Sequence, residues 1–215
     1  MSQAIILHEL PPSPNNLKVR MALGFKGIPY TRKPLEMSEA FGDRSEIIAL
    51  SGQPRTPVLQ HGETVMFDSN GIIRYLEANV KREPSLFTTD YAEFGELEKW
   101  EQFARTRMSP SIGALFGMAL SDGGSPAANA EANASFYEVT GELEEHLSGR
   151  DFLVCDRTTS ADLAVVAVAS LAVLTDSAAE QSPLLGYFKK NLQLGEGREK
   201  TRAWIERHLA YDNAS

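Results

Sequence analysis

Cysteine is nearly absent: Cys155 is the only one in 215 residues. A lone thiol excludes an internal disulfide framework and any Cys-rich zinc module. A chain of this length buries well over half of its surface on folding and needs neither. A basic excess is absent too. Lys and Arg number 21 against 29 Asp and Glu, and the net charge of −8 excludes a partner held by its phosphates, such as nucleic acid. Apolar runs stay well short of the roughly 18 residues that cross a bilayer. The opening Met1-Ser2-Gln3-Ala4 lacks the basic region and apolar stretch of a secretion signal. The four histidines (His8, His61, His146 and His208) show no metal-ligand spacing. The expectation is a cytoplasmic protein with no metal, no nucleic acid and no membrane among its partners.

What is present divides in two. Residues 1–87 hold 10 Lys/Arg against 9 Asp/Glu, whereas residues 88–215 hold 11 against 20. Such a shift marks a boundary. The expected domains are 1–82 and 91–215, with a linker over 83–90 that contains Glu83-Pro84-Ser85 and Thr88-Thr89-Asp90.

The first part alternates strand and helix. Ala4–Leu7 is a short apolar run of the kind buried in a sheet. Leu17 to Phe25 is apolar at helical spacing; Gly27 fits the position just past its end and Pro29 a stop signal. Tyr30 to Leu35 is a second strand, and Glu36 to Ala49 a loop with irregular helix. Pro57–Gln60 and Thr64–Phe67 flank His61-Gly62-Glu63 as a hairpin, and Asp68-Ser69 opens a helix carrying Ile72, Ile73 and Leu76 on one face. The order is β-α-β-α-β-β-α.

The second part is helical throughout. Tyr91 to Leu120 is one long pattern interrupted at Ser109-Pro110, followed by helices over 131–147, 160–175, 183–192 and 198–210. Ser121–Asn133 reads as a loop running into a helix. Leu163–Ala169 is apolar on every side, which places it at the centre of a bundle. Thr159-Ser160-Ala161-Asp162 ahead of it is a capping box with Asp in place of the usual Glu.

Pro57 opens a strand, where proline is tolerated because it gives no N–H to the ladder. A trans bond there simply ends a loop. A cis bond leaves the N–H and C=O of Thr56 free to pair with an extended peptide. Four blocks then decide between these readings. Ser13-Pro14-Asn15-Asn16-Leu17-Lys18-Val19-Arg20, Lys26-Gly27-Ile28-Pro29-Tyr30, Thr56-Pro57-Val58-Leu59 and Phe67-Asp68-Ser69-Asn70-Gly71 come in the order and spacing of the glutathione S-transferase superfamily. Together with the box at Thr159–Asp162, the resemblance covers nearly the whole chain. It implies a thioredoxin-like domain followed by an all-helical one, a cis Pro57 and a homodimer. It also implies glutathione bound as co-substrate on the first domain, with a second substrate held between the two.

The resemblance assigns residues one by one. Asp68 and Ser69 stand where the family binds the γ-glutamyl end of glutathione. Ser69 sits at a helix N-terminus that favours a carboxylate, and Asp68 suits the ammonium; either can also simply cap the helix. Thr56 would pair with the cysteinyl backbone, and Arg55 would reach the glycyl carboxylate or stay in solvent. Ser51-Gly52-Gln53-Pro54 departs from the common Asn-Pro-x-Gly, which leaves the role of Gln53 open. The catalytic hydroxyl falls to Ser13, since Tyr30 comes too late and Cys155 lies in the helical part. Ser13 ahead of Pro14 also fits an N-cap. Asn15 is a second donor to the sulfur, of the kind some bacterial and fungal relatives use.

Phe103, Arg107, Ser111 and Leu115 recur every four residues. They form either a second-substrate face with a cation for an anionic electrophile, or a core face with one snorkelling Arg. Cys155 reads as a buried structural thiol. The expected function is a glutathione transferase that activates the thiol for attack on a small electrophile, in a detoxifying role. A glutathione-dependent disulfide or peroxide reductase uses the same site. A non-catalytic interaction module keeps only the fold.

Overall fold

The structure is a computed structural model that describes residues 3–35, 43–80, 83–121 and 123–212. The chain forms two units, one running through Leu86 and joined again from Ala210, the other Phe87–Leu209.

The first unit is built on four strands: β1 (Ile5–Glu9), β2 (Thr31–Pro34), β3 (Val58–His61) and β4 (Thr64–Phe67). They lie in the order β2-β1-β3-β4, with β1 parallel to β2 and the other pairs antiparallel. A parallel pair needs a crossover, and α1 (Pro14–Phe25) supplies it. In β1, Ile5 and Leu7 share a face because strand side chains alternate. That face packs with Leu59 of β3, Val19 and Leu23 of α1, and Ile72 and Leu76 of α3 (Ser69–Asn79). Of the expected loop over 36–49, residues 36–42 lie outside the described residues, and the remainder enters α2 (Ser45–Ser51).

The punctuation in this unit follows its sequence. Pro14 takes the first helical position of α1, where a missing N–H costs nothing. At the other end Gly27 adopts φ 58°, the Gly27 N–H reaches the Gly24 carbonyl, and the Ile28 N–H reaches the Leu23 carbonyl. These are the two bonds of a Schellman ending, and Leu23 and Ile28 close it with a core contact. The hairpin turns at Gly62, with His61 opposite Thr64. Residues 210–212 are tied to this unit: Arg20 holds both oxygens of Asp212 at 2.8 and 2.9 Å, and Tyr211 meets Phe25 edge-on at 4.9 Å.

The second unit is all helix: α4 (Tyr91–Phe103), α5 (Ser109–Ala119), α6 (Pro126–His146), α7 (Ser160–Ala169), α8 (Asp176–Glu180), α9 (Pro183–Asn191) and α10 (Glu199–Leu209). Every residue of α7 is buried, as its all-round apolar sequence requires. Its capping box is formed, and the buried Asp162 carboxylate does more than cap. It accepts from the Thr159 N–H (2.9 Å) and hydroxyl (2.8 Å), the Leu153 N–H (3.0 Å) and the Trp204 indole (3.2 Å).

Three boundaries differ from expectation. Ser109-Pro110 does not interrupt the helix; the chain passes through a π turn, Ala104–Met108, in which the Ser109 N–H reaches back five residues to Ala104. Pro110 has no N–H to continue the four-residue ladder, and widening the turn absorbs that loss. Helix α6 starts at Pro126, inside the expected loop, because Ser125 caps the Ala128 N–H with Pro126 behind it. Helix α7 ends at Ala169, and a 3₁₀ turn carries the chain to Ala172 rather than a helix to 175.

Candidate functional site

Two helix N-termini and one loop of the first unit are joined by side-chain hydrogen bonds. The first turn of α1 brings Ser13, Asn15 and Asn16. Ser13 is its N-cap residue in extended conformation, with its carbonyl accepting from the Asn16 and Leu17 N–H groups at 3.0 and 3.1 Å. Its hydroxyl makes no capping bond. Among the described residues the hydroxyl has no hydrogen-bond partner, as a donor to a ligand sulfur needs. Asn15 is exposed, and its Oδ1 accepts from the Ser69 hydroxyl at 3.3 Å. That bond orients the amide and leaves its NH₂ end to donate elsewhere.

The loop ahead of β3 contributes Thr56 and Pro57, joined by a cis peptide bond. Among the described residues, the main-chain N–H and C=O of Thr56 meet no backbone partner. Arg55 is exposed, and its guanidinium has no protein partner among the described residues. Gln53 is spent on its own loop: Nε2 donates to Ser51 Oγ (2.9 Å) and the Arg55 carbonyl (2.8 Å), while Oε1 accepts from the Arg55 N–H (2.8 Å). It shapes the turn that presents Arg55.

At the N-terminus of α3, Asp68 sits at φ 67° and ψ 119°, a positive-φ conformation that side chains rarely adopt. Its Oδ1 accepts from the Asn70 and Gly71 N–H groups at 2.9 and 3.1 Å. One carboxylate oxygen therefore caps the helix, and the other, on an exposed residue, makes no hydrogen bond among the described residues. Ser69 is buried behind it.

The sequence reading did not single out two residues that hold this arrangement. Asn16, fully buried, donates from Nδ2 to Thr56 Oγ1 at 3.2 Å. Lys18, also buried, donates to Asn70 Oδ1 at 2.5 Å. Their partners lie 40 and 52 residues away, so no local pattern marks them.

The helical unit holds the remaining candidates. Arg107 stacks 5.8 Å from the Phe103 ring and pairs with Glu142. Ser111 is buried with its hydroxyl on the Met108 carbonyl (2.8 Å), and Leu115 is buried in the core. The π turn breaks the four-residue spacing, so the structure brings Phe103 and Arg107 together and turns Ser111 and Leu115 inward. Cys155 is half-buried, and burial together with Glu93, whose carboxylate accepts from Sγ at 3.2 Å, pushes the thiol up to about 11. A thiol so raised stays protonated and unreactive near neutrality. It lines a cleft of about 860 Å³ with Glu93, Glu96, Arg150, Phe152 and Asp156. Among the described residues no group of His, Cys, Asp and Glu is placed to hold a metal ion.

These features define a class first: a thioredoxin-like unit with a cis-proline loop, continued by an all-helical unit. The glutathione S-transferase N-terminal domain family matches residues 7–84. Glutathione S-transferase 3 of Zea mays is 28% identical over 161 residues, 73% of this chain and 72% of that protein. Elongation factor 1-gamma 3 of Oryza sativa is 28% identical over 162 residues, but this chain covers only 38% of its length. The glutathione transferase URE2P8 of Phanerochaete chrysosporium, solved with oxidized glutathione, superposes with a TM-score of 0.75 at 21% identity, over 97% of this chain and 90% of that one. Residues 7–84 thus match the glutathione S-transferase N-terminal domain family, and the chain as a whole is similar to glutathione S-transferases and shares their fold.

Proposed function

We propose that the protein is a glutathione-dependent transferase whose site is the groove formed by the α1 N-terminus, the Thr56-Pro57 loop and the α3 N-terminus. One observation carries this reading. Hydrogen bonds from Asn16 to Thr56 and from Ser69 to Asn15 join three segments that each offer unspent polar groups suited to a different part of the tripeptide. The γ-glutamyl carboxylate suits the α3 N-terminus at Ser69, and the free oxygen of Asp68 suits the ammonium. The Thr56 main chain suits the cysteinyl amide, with Pro57 packed behind it. The Arg55 guanidinium suits the glycyl carboxylate.

The sulfur then lies at the mouth of α1. A free thiol has a pKa of about 8.5, so little thiolate exists at neutral pH. A donor from Ser13 or Asn15, with the α1 dipole beneath, favours the anion and releases the proton to water. The thiolate forms a bond to an electrophilic carbon, and the leaving group departs with the bonding pair. Within the helical unit, the Phe103–Arg107 turn sets an aromatic ring beside a cation, chemistry suited to an anionic electrophile, while the buried Ser111 hydroxyl is taken by the Met108 carbonyl. The working form in this reading is a cytoplasmic homodimer in a detoxifying role.

Calorimetric titration with glutathione, followed by turnover of an aryl halide and of a glutathionyl mixed disulfide, tests the reading. Binding with aryl-halide turnover supports it. Binding with turnover of the disulfide alone moves the protein to the reductases. A second reading is favoured by the similarity to elongation factor 1-gamma: the fold serves as an interaction module. It requires that the protein neither bind glutathione nor stay on a glutathione resin.

A further inference from the structure

Asn16 is unusual for its place. It is the third residue of α1, where most polar side chains face water, yet it is fully buried. Burying a carboxamide is costly unless both ends are paired. Here one end meets Thr56 Oγ1 at 3.2 Å, and the other, Oδ1, meets no hydrogen-bond partner among the described residues. Exchanging the amide oxygen and nitrogen leaves this picture intact, because a hydroxyl both donates and accepts. An apolar residue would fill the space without the orphaned oxygen. Among the described residues the bond to Thr56 is the one hydrogen bond that offsets the cost.

That bond spans the two halves of the groove. Asn16 follows directly on Asn15 and lies one helical turn from Ser13, the two candidate donors to sulfur. Thr56 is the residue whose main chain faces the cysteinyl amide. The separation of those two features sets where the sulfur falls relative to its donor, and a misplacement on the scale of 1 Å is costly to turnover. We infer that Asn16 is a positioning residue: it clamps Thr56 against the first turn of α1 and so fixes the register between the glutathione backbone and the thiol donor. This rests on the reading of the groove as a glutathione site.

The test uses the full chain with Asn16→Ala, Thr56→Val, Thr56→Ser and the double variant Asn16→Ala/Thr56→Val. Glutathione affinity is measured by calorimetry, and rates are measured against glutathione at a saturating aryl halide. Asn16→Ala and Thr56→Val each weaken glutathione binding about tenfold, the size expected for one hydrogen bond that orders a binding residue. KM for glutathione rises with Kd, and kcat falls as well because the sulfur no longer meets its donor in register. The double variant is no weaker than either single one, because the two changes remove the same clamp. Thr56→Ser keeps the hydroxyl and binds at least about fivefold more tightly than Thr56→Val.

A merely structural rivet gives a different result: melting temperature falls, while Kd and KM of the folded protein stay at wild-type values. That outcome overturns the inference, as does a double variant equal to the product of the singles. If Asn16→Ala does not fold, the contrast between Thr56→Val and Thr56→Ser decides, and equal affinities overturn it. Wild-type protein that does not bind glutathione overturns the groove assignment and this inference with it. Wild-type binding with Asn16→Ala unaffected overturns this inference alone.

Discussion

Asp162 and Asp68 both serve a helix N-terminus, one in each unit, and they are spent differently. Asp162 is fully buried and receives four hydrogen bonds from three separate parts of the helical unit. Asp68 is exposed, and one of its oxygens satisfies the first turn of α3 while the other is left over. The same contrast runs through the polar groups around them. In the helical unit Glu101 takes the Ser160 hydroxyl at 2.6 Å, and His208 holds the Trp204 carbonyl at 2.8 Å, all buried. In the thioredoxin-like unit Ser13, Asn15, the Thr56 main chain and Arg55 each keep a group unspent. A saturated buried carboxylate stabilises a fold; a half-spent exposed one is suited to hold a ligand.

The strongest way to break this comparison is Asp162→Ala. It leaves the Leu153 N–H and the Trp204 indole buried without an acceptor, and the helical unit loses about 3–5 kcal/mol in urea denaturation. The glutathione affinity of the molecules that remain folded stays the same. A matching loss of affinity would mean that the two units do not divide the work as described.

Next in size is the donor to sulfur. Of Ser13→Ala and Asn15→Ala, one lowers kcat/KM for the aryl halide about 100-fold, the scale of losing one preorganised donor to a developing or settled anion. Its pH–rate profile moves to higher pH, because the bound thiol loses the group that favoured its anion. Glutathione affinity changes little in that variant. If both variants keep full turnover, the mouth of α1 is not where the sulfur lies.

A smaller effect separates the two duties of Asp68. Asp68→Asn keeps an oxygen for the Asn70 and Gly71 N–H groups and so keeps the cap; Asp68→Ala loses it, at about 1 kcal/mol of stability. Both lose the charge that the proposed site offers to the ammonium, so both are expected to weaken glutathione binding by a similar factor. Melting curves and titrations of the same two proteins separate cap from ligand contact.

Much of the frame could be read from local chemistry. Gly27 and Pro29 mark the end of α1, Gly62 the hairpin, and Thr159-Ser160-Ala161-Asp162 the start of α7, because each acts through its own backbone. The segments that escaped have weak or misleading local signals. Helix α8 has only five residues, and α6 begins in a stretch rich in Ala and Asn that reads as loop. The four-residue spacing of Phe103, Arg107, Ser111 and Leu115 assumed one straight helix, and the lost N–H of Pro110 opened a π turn inside it. The segments proposed to line the groove, Thr56-Pro57 and Asp68-Ser69, stood out in the sequence. Their supports did not: Asn16 and Lys18 are ordinary polar residues in a helical sequence until Thr56 and Asn70 come beside them.

The smallest expected effect returns to the comparison through two buried histidines. Burial lowers the pKa of His8 in β1, with Lys33 acting in the same direction and Gln60 and Glu46 against it. Burial likewise lowers that of His208 in α10, against the pull of Asp162. In both cases the unfolded chain takes up its proton first as pH falls. Each histidine therefore adds stability that is complete above an unfolded pKa of about 6.5 and is lost as pH drops through the lower folded value. The two differ in their surroundings. His208 has Asp162 at 3.9 Å to meet a proton, whereas among the described residues the ring nitrogens of His8 make no hydrogen bond of ordinary length, and Glu46 is offset by Lys33 on the neighbouring strand. A charge on His8 is the less tolerable. The unfolding free energy falls between pH 7.5 and 5.5, with a slope of at most about 1.4 kcal/mol per pH unit for each group. His8→Leu removes two buried polar atoms and flattens that slope, while any change in stability at pH 7.5 stays small. A slope unchanged in His8→Leu would place the acid sensitivity in the helical unit, where the saturated network around Asp162 was expected to resist it.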